Sequence, residues 1–339
     1  MIILSATVVS DLISRVGLKN FFIQLNQRLI QDFNIWHEFH KSARHTIKLK
    51  HGVIELMPIA TEEYYSFKYV NGHPENHLQQ KSTVVAFGML ADSVTGYPLM
   101  LSSMTLLTAI RTAAVSAIAS VYLAKKQSRC IAMIGCGSQS TFQILAHELY
   151  FDLQEVRYFD LKPRAMDRFA KNFVNAAFTL HPAANILDAI DGADIIICAT
   201  SAHGKNILFK NTDLIPGQHI CAIGGDATGK TELDSKILTS SKVVVEYFAQ
   251  TQYEGEIQNL GDAAAENVYA ELWELVCGLK PGRSNDSENT LFDSVGFALE
   301  DFSALRLCYS LAQELNIGHE LNLVSHDLEQ SESLYGLLL

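Results

Sequence analysis

The chain has 339 residues, 48% of them hydrophobic and 19% charged, and a formal net charge of −11. This length predicts two domains, and the acidic balance argues against a nucleic-acid or anionic-membrane partner. The N-terminus lacks the basic segment of a signal peptide, and we expect neither a membrane span nor a metal site. The six cysteines form no C-x-x-C pair, which predicts free thiols in a reducing, cytoplasmic compartment.

The first hundred residues change from a helical to a strand pattern. Residues 5–37 predict one helix, because apolar side chains recur at helical spacing from Leu18 to Phe33. Beyond Ala43 the period is that of β-strands. The predicted strands are Thr46–Lys50, Val53–Met57, Tyr64–Val70, Val84–Ala91 and Tyr97–Leu101. An Ala-rich stretch over Thr105–Leu123 then predicts a helix.

The segment from Ile131 to Asp160 predicts a dinucleotide-binding unit. A short apolar strand ends at Gly135 and Gly137, where a tight turn lets the backbone approach a ligand. A helix follows from about Gln139, and its free N–H groups suit a pyrophosphate. The next strand ends at Asp160, whose carboxylate can take ribose hydroxyls and would repel a 2′-phosphate. The sequence therefore predicts NAD rather than NADP.

Strands and helices continue to alternate after Asp160, as in a doubly wound parallel sheet. We predict an α/β fold with two domains. Residues 114–304 would form the Rossmann-type domain. Residues 1–113 would form an α+β domain for substrate binding and dimerisation, completed by the C-terminal helix and tail at about 305–339.

Three cations in apolar or structured surroundings are candidate ligands for an anionic substrate. They are Arg44, Lys68 within a strand, and Arg111 within the Ala-rich helix. An unpaired charge is costly to bury, so an anion is a natural partner. The other interpretation is that each is a surface cation whose stem lies on apolar neighbours. Glu55 lies in an apolar strand, where it either orients one of these cations or faces solvent.

The segment G-G-D-A-T-G-K-T-E-L at 224–233 follows a predicted strand. Asp226, directly after two glycines at the expected cofactor crevice, is a candidate acid–base group. It is also an ordinary candidate for a helix cap, as is Thr231. The segment matches the phosphate-binding P-loop pattern, but an acid inside such a loop would repel phosphate.

Several stretches together resemble the ornithine cyclodeaminase/μ-crystallin family, over about residues 40–310. The stretches are K-Y-V-N-G-H-P at 68–74, V-V-A-F-G-M-L-A-D at 84–92, L-T-A-I-R-T-A-A at 107–114, the 224–233 segment, E-G-E-I-Q at 254–258 and L-F-D-S-V-G-F-A-L-E-D-F-S-A-L-R at 291–306. The 224–233 segment points to the cyclodeaminase branch of the family.

The resemblance implies an NAD-dependent conversion of L-ornithine to L-proline and ammonia by a homodimer. It implies that Arg44, Lys68 and Arg111 surround the substrate carboxylate, with Glu55 in support and Val295 in the pocket. Asp226 would meet the δ-amino group. The residues implied for NAD are Thr83, Arg111, Thr112, Gly135, Gly137, Ser138, Gln139, Asp160, Thr200, Ile220, Cys221, Ala222, Ile223, Lys230 and Ser294.

Two alternatives stay open at this stage. One is a dehydrogenase or imine reductase of the same family, acting on alanine, on lysine-derived imines or on N-alkyl amino acids. The other is a catalytically silent, crystallin-like binding protein, against which the intact Asp226 and the three cations weigh. Ornithine, lysine and shorter diamino acids are not distinguished, because chain-length selection depends on pocket depth.

Overall fold

A computed structural model describes residues 1–201 and 204–324 of the chain. The chain divides into two compact units. Unit 1 comprises Met1–Leu18, His37–Thr108 and the chain from Asp301 onward, and unit 2 comprises Lys19–Trp36 and Ala109–Glu300. Residues 325–339, the end of the tail assigned from the sequence to the first domain, lie outside the described residues.

The elements are numbered here in chain order. The strands are β1 (Ile2–Leu4), β2 (His40–Lys41), β3 (His45–Leu49), β4 (Gly52–Ala60), β5 (Tyr64–Gly72), β6 (Val84–Asp92), β7 (Pro98–Ser103), β8 (Cys130–Ile134), β9 (Glu155–Phe159), β10 (Thr179–Pro182), β11 (Ile195–Cys198), β12 (His219–Ala222), β13 (Lys242–Val245), β14 (Val268–Glu271), β15 (Thr290–Asp293) and β16 (His319–Glu320). The helices are α1 (Ala6–Val16), α2 (Leu18–Asn34), α3 (Thr105–Leu123), α4 (Ser140–His147), α5 (Pro163–Lys171), α6 (Ile186–Ile190), α7 (Ser235–Ser240), α8 (Phe248–Glu254), α9 (Ala264–Asn267), α10 (Leu272–Val276) and α11 (Ala298–Glu314). Short 3-10 helices occupy Trp36–Glu38, Pro74–Gln79, Asn211–Asp213 and Glu256–Ala263.

Unit 1 contains a mixed sheet in the order β16-β1-β7-β6-β5-β4-β2, with β3 also paired to β4. Successive side chains of a strand point to opposite faces, so the register decides which residues are buried together. Glu55 of β4 pairs with Thr46 of β3, and Met57, also in β4, pairs with Lys68 of β5. Glu55 and Lys68 therefore share the buried face. The opposite face carries Leu56, which is exposed.

Unit 2 contains a parallel sheet in the order β10-β9-β8-β11-β12-β15-β13-β14. Its strands are apolar on both faces: Ile131 and Met133 belong to one core cluster, and Ala132 and Ile134 to the other. A strand covered on both sides suits such a continuous apolar run. The chain leaves β8 in one direction toward β10 and returns through β11 in the other, which is the switch point of a doubly wound sheet. The Rossmann-type fold predicted from the sequence is confirmed.

The N-terminal helix differs from the prediction. Instead of one helix over 5–37, the structure has α1 and α2, separated at Gly17. Gly17 has φ 82 and donates its N–H to the Ile13 carbonyl, which ends α1 in the way glycine favours. The short strands β1 and β16, of three and two residues, were not predicted because two or three residues are too few to show the alternating pattern of a strand.

Helix α3 is the one described helix that bears on the expectation of no membrane span. By length and composition this 19-residue helix could cross a membrane, with a mean hydropathy of 1.6. However, 67% of its most apolar window is buried inside the protein. A core helix meets the same criteria, since it too is apolar all round.

Candidate active site

The turn after β8 has the form predicted for a dinucleotide site. Gly135 has φ 95, and a Cβ there would lie 2.6 Å from the Ala199 carbonyl oxygen, so this glycine is required by a neighbouring turn. A Cβ at Gly137 would meet no described heavy atom within 4 Å. The Asp160 carboxylate accepts the Cys136 N–H at 2.8 Å and the Lys162 N–H at 2.8 Å. Asp160 therefore holds the turn in place.

Helix α4 begins directly after this turn. Ser138 is exposed, and the Gln139 side-chain Oε1 is buried with no hydrogen-bond partner among the described residues. The first N–H groups of a helix have no partner within the helix, so they are suited to bind an anion. Ser140, which stands where the fingerprint has its third glycine, donates its hydroxyl to the Gly137 carbonyl at 2.8 Å. The turn, the helix N-terminus and Asp160 together fit a dinucleotide.

Strand β12 contributes backbone rather than side chains to the carboxyl edge of the sheet. Ile220, Cys221 and Ala222 are at most 1% exposed, and the Cys221 thiol contacts the Ser120 hydroxyl. These side chains belong to the core, so any contact of this strand with NAD would come from its backbone. Ile223, just past the strand end, donates its N–H to the Cys198 carbonyl.

Two further residues implied for NAD, Thr83 and Thr112, lie in different units. Thr83 is exposed in unit 1, and its carbonyl accepts the His73 N–H at 2.7 Å. Thr112 is half-buried in α3 in unit 2.

Asp226 lies in an open loop between β12 and α7. Its side chain is 55% exposed, and its Oδ1 accepts a hydrogen bond from the Lys230 ammonium at 2.8 Å. The carboxylate is therefore accessible and has a cation beside it. The loop is no P-loop, because α7 begins only at Ser235 whereas that motif opens a helix at its Lys-Thr pair.

Three buried carboxylates, here called the acid ladder (Glu232, Glu256 and Asp293), lie beneath this loop. Asp293 accepts the N–H of Glu256 at 2.9 Å, and Glu256 accepts the N–H of Glu232 at 2.7 Å. The Glu232 carboxylate in turn accepts the Thr200 hydroxyl. Each acid thus fixes the backbone that carries the next.

Burial changes the proton affinity of the acid ladder. Loss of water raises the pKa of Glu232 to about 7, that of Glu256 to about 8 and that of Asp293 to about 7. The charge of Asp293 raises the pKa of Glu256 further, while the two backbone N–H donors to Glu256 lower it. Burial is the dominant cause for all three.

Two of the predicted substrate cations lie on the buried sheet face of unit 1, and both have carboxylate partners. Arg44 Nη1 donates to Glu55 Oε2 at 3.0 Å, and the two side chains are 6% and 10% exposed. Lys68 Nζ lies 2.9 Å from Asp301 Oδ1, and both side chains are 1% exposed. Of the two readings left open for Glu55, the structure supports orientation of a cation.

The third cation, Arg111, lies in unit 2 and is paired in the same way. Its guanidinium forms a buried ion pair with Glu300 of α11. Gly296 packs against it, since a Cβ there would lie 2.5 Å from Arg111 Nη1. The guanidinium is therefore held from two sides by the segment that follows β15.

The loop after β15 carries Ser294 and Val295, and Glu246 fixes it. The Glu246 carboxylate accepts the Ser294 hydroxyl at 2.6 Å and the N–H groups of Val295 at 2.9 Å and Gly296 at 2.7 Å. Gln250 Nε2 also donates to the Gly296 carbonyl at 2.8 Å. Val295 itself is 6% exposed. The position of this loop is thus set by the side chain of Glu246, which directly follows β13, and by that of Gln250 in α8.

Sequence reasoning missed Glu246, Glu300, Asp301 and the acid ladder as functional residues. Two consecutive acids within the apolar helix α11 were a readable signal, because a charge on a buried face needs a partner. Among the described residues, no group of three or more His, Cys, Asp or Glu side chains is placed to hold a metal ion.

Comparison with known proteins adds an independent result. Residues 7–316 match the model of the ornithine cyclodeaminase/mu-crystallin family. The chain is 44% identical over 330 residues to the ornithine cyclodeaminase of Agrobacterium fabrum, covering 97% of this chain and 92% of that protein. Among solved structures, a lysine cyclodeaminase in a study of L-lysine, L-ornithine and L-2,4-diaminobutyric acid recognition has a TM-score of 0.89 at 27% identity, with 97% of each chain covered. An archaeal alanine dehydrogenase dimer with bound NAD has a TM-score of 0.87 at 30% identity, covering 96% of this chain and 99% of that one.

The resemblance found in the sequence is therefore confirmed over nearly the whole chain. The match spans both units rather than the dinucleotide-binding fold alone. The chain belongs to the ornithine cyclodeaminase/mu-crystallin family.

Proposed function

We propose that the protein is an ornithine cyclodeaminase that converts L-ornithine to L-proline and ammonia in an NAD-dependent reaction without net oxidation. The observation that carries this is the 224–233 segment, which exposes the carboxylate of Asp226 in a chain 44% identical to a named ornithine cyclodeaminase. Both the enzyme class and NAD were predicted from the sequence, and both agree with the relatives.

The turn after β8 would hold NAD. Gly137, Ser138 and Gln139 would present backbone N–H groups to the pyrophosphate, and Asp160 would accept the adenosine ribose hydroxyls. Gly135, whose N–H donates to the Phe159 carbonyl, would shape the turn that lets the ligand approach. Bound NAD would supply an acceptor for the Cα hydrogen of the substrate and later return that hydrogen to the cyclic imine. The remaining residues proposed for this role are Thr83, Arg111, Thr112, Thr200, Ile220, Cys221, Ala222, Ile223, Lys230 and Ser294.

Arg44, Lys68 and Arg111 would bind the substrate carboxylate. Each is buried or nearly so and already has a carboxylate beside it, so its position is fixed before a ligand arrives. Such preorganisation aims the reacting carbon without an ordering cost at the moment of reaction. Glu55 would support the cluster through Arg44, and Val295 would line the pocket.

Asp226 would carry the proton transfers. An ammonium group cannot attack carbon, so the δ-amine of ornithine must lose a proton before it closes the ring. The Asp226 carboxylate is exposed and suited to accept that proton. It would return a proton to the α-amino group as ammonia departs. Lys230, in contact with Asp226, would keep the carboxylate oriented.

The alternatives are weaker on this arrangement. Alanine carries no distal amine, so the exposed Asp226 carboxylate beside Lys230 would have no substrate group to meet in an alanine dehydrogenase. A silent binding protein has no need of an accessible acid beside a lysine. The choice between ornithine, lysine and shorter diamino acids remains one of pocket depth.

A homodimer in the cytoplasm completes the proposal. The outward face of the unit 1 sheet carries exposed apolar side chains: Ile47, Leu49, Leu56, Val85 and Phe87 are between 38% and 51% exposed. An apolar patch on adjacent strands is typical of a protein–protein interface, here with a second copy. All six cysteines are free, as a reducing compartment favours.

The deciding experiment gives the purified protein excess L-ornithine with substoichiometric NAD. We expect many equivalents of ammonia and proline per NAD and no accumulation of NADH. One equivalent of ammonia per NAD, matched by NADH, would indicate a dehydrogenase. No ammonia from ornithine, together with turnover of alanine or a cyclic imine, would also refute the proposal.

A further inference from the structure

The segment E-G-E-I-Q at 254–258 has no role in the chemistry described above, yet it contacts the Asp226 loop at both ends. It lies where α8 ends and the Glu256–Ala263 3-10 helix begins. Glu256 is 0% exposed and Gln258 is half-buried. Both side chains make hydrogen bonds to the backbone of residues 227–233.

Glu256 fixes the C-terminal side of the loop. Its Oε1 accepts the Glu232 N–H at 2.7 Å, and its Oε2 accepts the Leu233 N–H at 3.0 Å. The N–H groups of Glu256 and Ile257 are themselves held by the Asp293 carboxylate, at 2.9 Å each. Glu256 therefore links the loop, through hydrogen bonds, to Asp293 at the end of β15.

Gln258 fixes the turn of the loop. Its Oε1 accepts the Gly229 N–H at 2.6 Å, and its Nε2 lies 3.3 Å from the Ala227 carbonyl and 3.2 Å from the Lys230 carbonyl. The same Nε2 is 2.8 Å from the Gly255 carbonyl, within its own segment. One amide thus joins the turn that follows Asp226 to the segment below it.

The two glycines before Asp226 lie directly against buried carboxylates. A Cβ at Gly225 would lie 2.5 Å from Glu256 Oε1, and a Cβ at Gly224 would overlap the Glu232 carboxylate. The buried carboxylates of Glu232 and Glu256 therefore occupy the space that a side chain at either position would take. The backbone before Asp226 therefore packs directly against the side chains of Glu232 and Glu256.

We propose that Glu256 and Gln258 are positioning residues for Asp226, forming a clamp that holds its loop from both sides. The inference rests on the acid–base role proposed above for Asp226. A carboxylate in an exposed loop would otherwise sample many positions, and a displacement of about 1 Å can cost up to roughly 100-fold in rate. The clamp removes that freedom through hydrogen bonds to the loop backbone.

The test is a double-mutant cycle between Gln258→Leu and Asp226→Asn, with Gln252→Leu as the matched control. Gln252 lies in α8 and donates to the Ala249 carbonyl within its own helix. Ammonia release from ornithine gives kcat, and fluorescence titration gives NAD affinity. We expect Gln258→Leu to lower kcat roughly 10-fold or more while NAD affinity changes by less than about twofold. Gln252→Leu should leave both within about twofold.

The cycle separates positioning from a general loss of stability. If Gln258 acts through Asp226, adding Gln258→Leu to the Asp226→Asn variant should lower the slow residual rate by less than about twofold. A fully additive loss, or an equal loss in Gln252→Leu, would overturn the inference. So would normal kcat in Gln258→Leu when Asp226→Asn is impaired. Near-normal turnover in Asp226→Asn would overturn the proposed function and this inference together.

A second variant covers the case in which Gln258→Leu does not fold. Gln258→Glu keeps the acceptor for Gly229 and removes the amide donor, so it should lower kcat in the same direction. Glu256→Gln retains the shape of the side chain but replaces one carboxylate oxygen by an NH2 group, which cannot accept a hydrogen bond from the backbone N–H that it faces. This variant should therefore also lower kcat. Failure of all three variants to fold would overturn the inference, because these residues would then serve folding rather than the placement of Asp226.

Discussion

The buried pair of Lys68 and Asp301 allows a quantitative prediction. Both side chains are 1% exposed and the Lys68 Nζ lies 2.8 Å from Asp301 Oδ2. Replacing Lys68 by Met removes the cation that lies beside the buried Asp301 carboxylate. Breaking a buried ion pair in this way costs about 3–5 kcal/mol of unfolding free energy. For a chain of 339 residues this corresponds to a fall of roughly 4–7 °C in Tm.

The double variant Lys68→Met/Asp301→Leu distinguishes this reasoning from simple loss of packing. With both charges gone, neither member of the pair stays buried without the other, and stability should return close to that of the parent. Thermal unfolding followed by circular dichroism measures the cycle, and Lys48→Met, an exposed lysine in β3, is the matched control. A double variant that loses as much as the two single changes together would refute the reasoning. Ornithine KM should rise in every variant that lacks Lys68, whether or not stability returns.

Three more predictions follow from the same structure. Asp160→Ser should relax the preference for NAD over NADP, since it removes the charge that repels a 2′-phosphate. It should also weaken NAD binding, because the Cys136 N–H loses its carboxylate acceptor. Equal affinity of the wild-type protein for both cofactors would contradict the assignment of this strand end. Asp226→Asn should lower turnover by roughly 100-fold or more at unchanged NAD affinity, measured by ammonia release and titration. The acid ladder should make the free energy of unfolding depend on pH. Because its folded-state pKa values are raised, the folded protein holds protons that the unfolded chain releases. The stabilisation from these protons is full below about pH 4 and is lost as the pH rises through about 8. Tm measured across this range should fall with rising pH, and less steeply in Glu256→Gln.

The sequence predicted those parts of the fold whose signal is local. The strand before Gly135, the helix after it and the acid at position 160 follow one another within about thirty residues, and each has its own pattern. The apolar runs of the parallel strands were readable because both faces are buried.

The partners of the buried charges were not predictable in this way. Asp301 lies 233 residues from Lys68, and Glu300 lies 189 residues from Arg111. No local period links residues so far apart, so an anionic ligand seemed the natural partner for each cation. The structure instead provides protein carboxylates, beside which a substrate carboxylate would be an additional anion.

The glycines of the 224–233 segment show a similar limit. The sequence placed Gly224 and Gly225 at the expected cofactor crevice, whereas the structure shows that they make room for the side chains of Glu232 and Glu256. Glycine reports that something lies close to the backbone. Only the fold shows what that is.

The central claim is that the hydrogen removed from ornithine returns to the same molecule. L-Ornithine deuterated at Cα, incubated with catalytic NAD and an excess of unlabelled NADH, tests this directly by mass spectrometry of the proline formed. The account predicts that proline keeps the deuterium at Cα, because the cofactor stays bound between the two transfers. Proline without deuterium, with the label recovered in the free NADH, would contradict it.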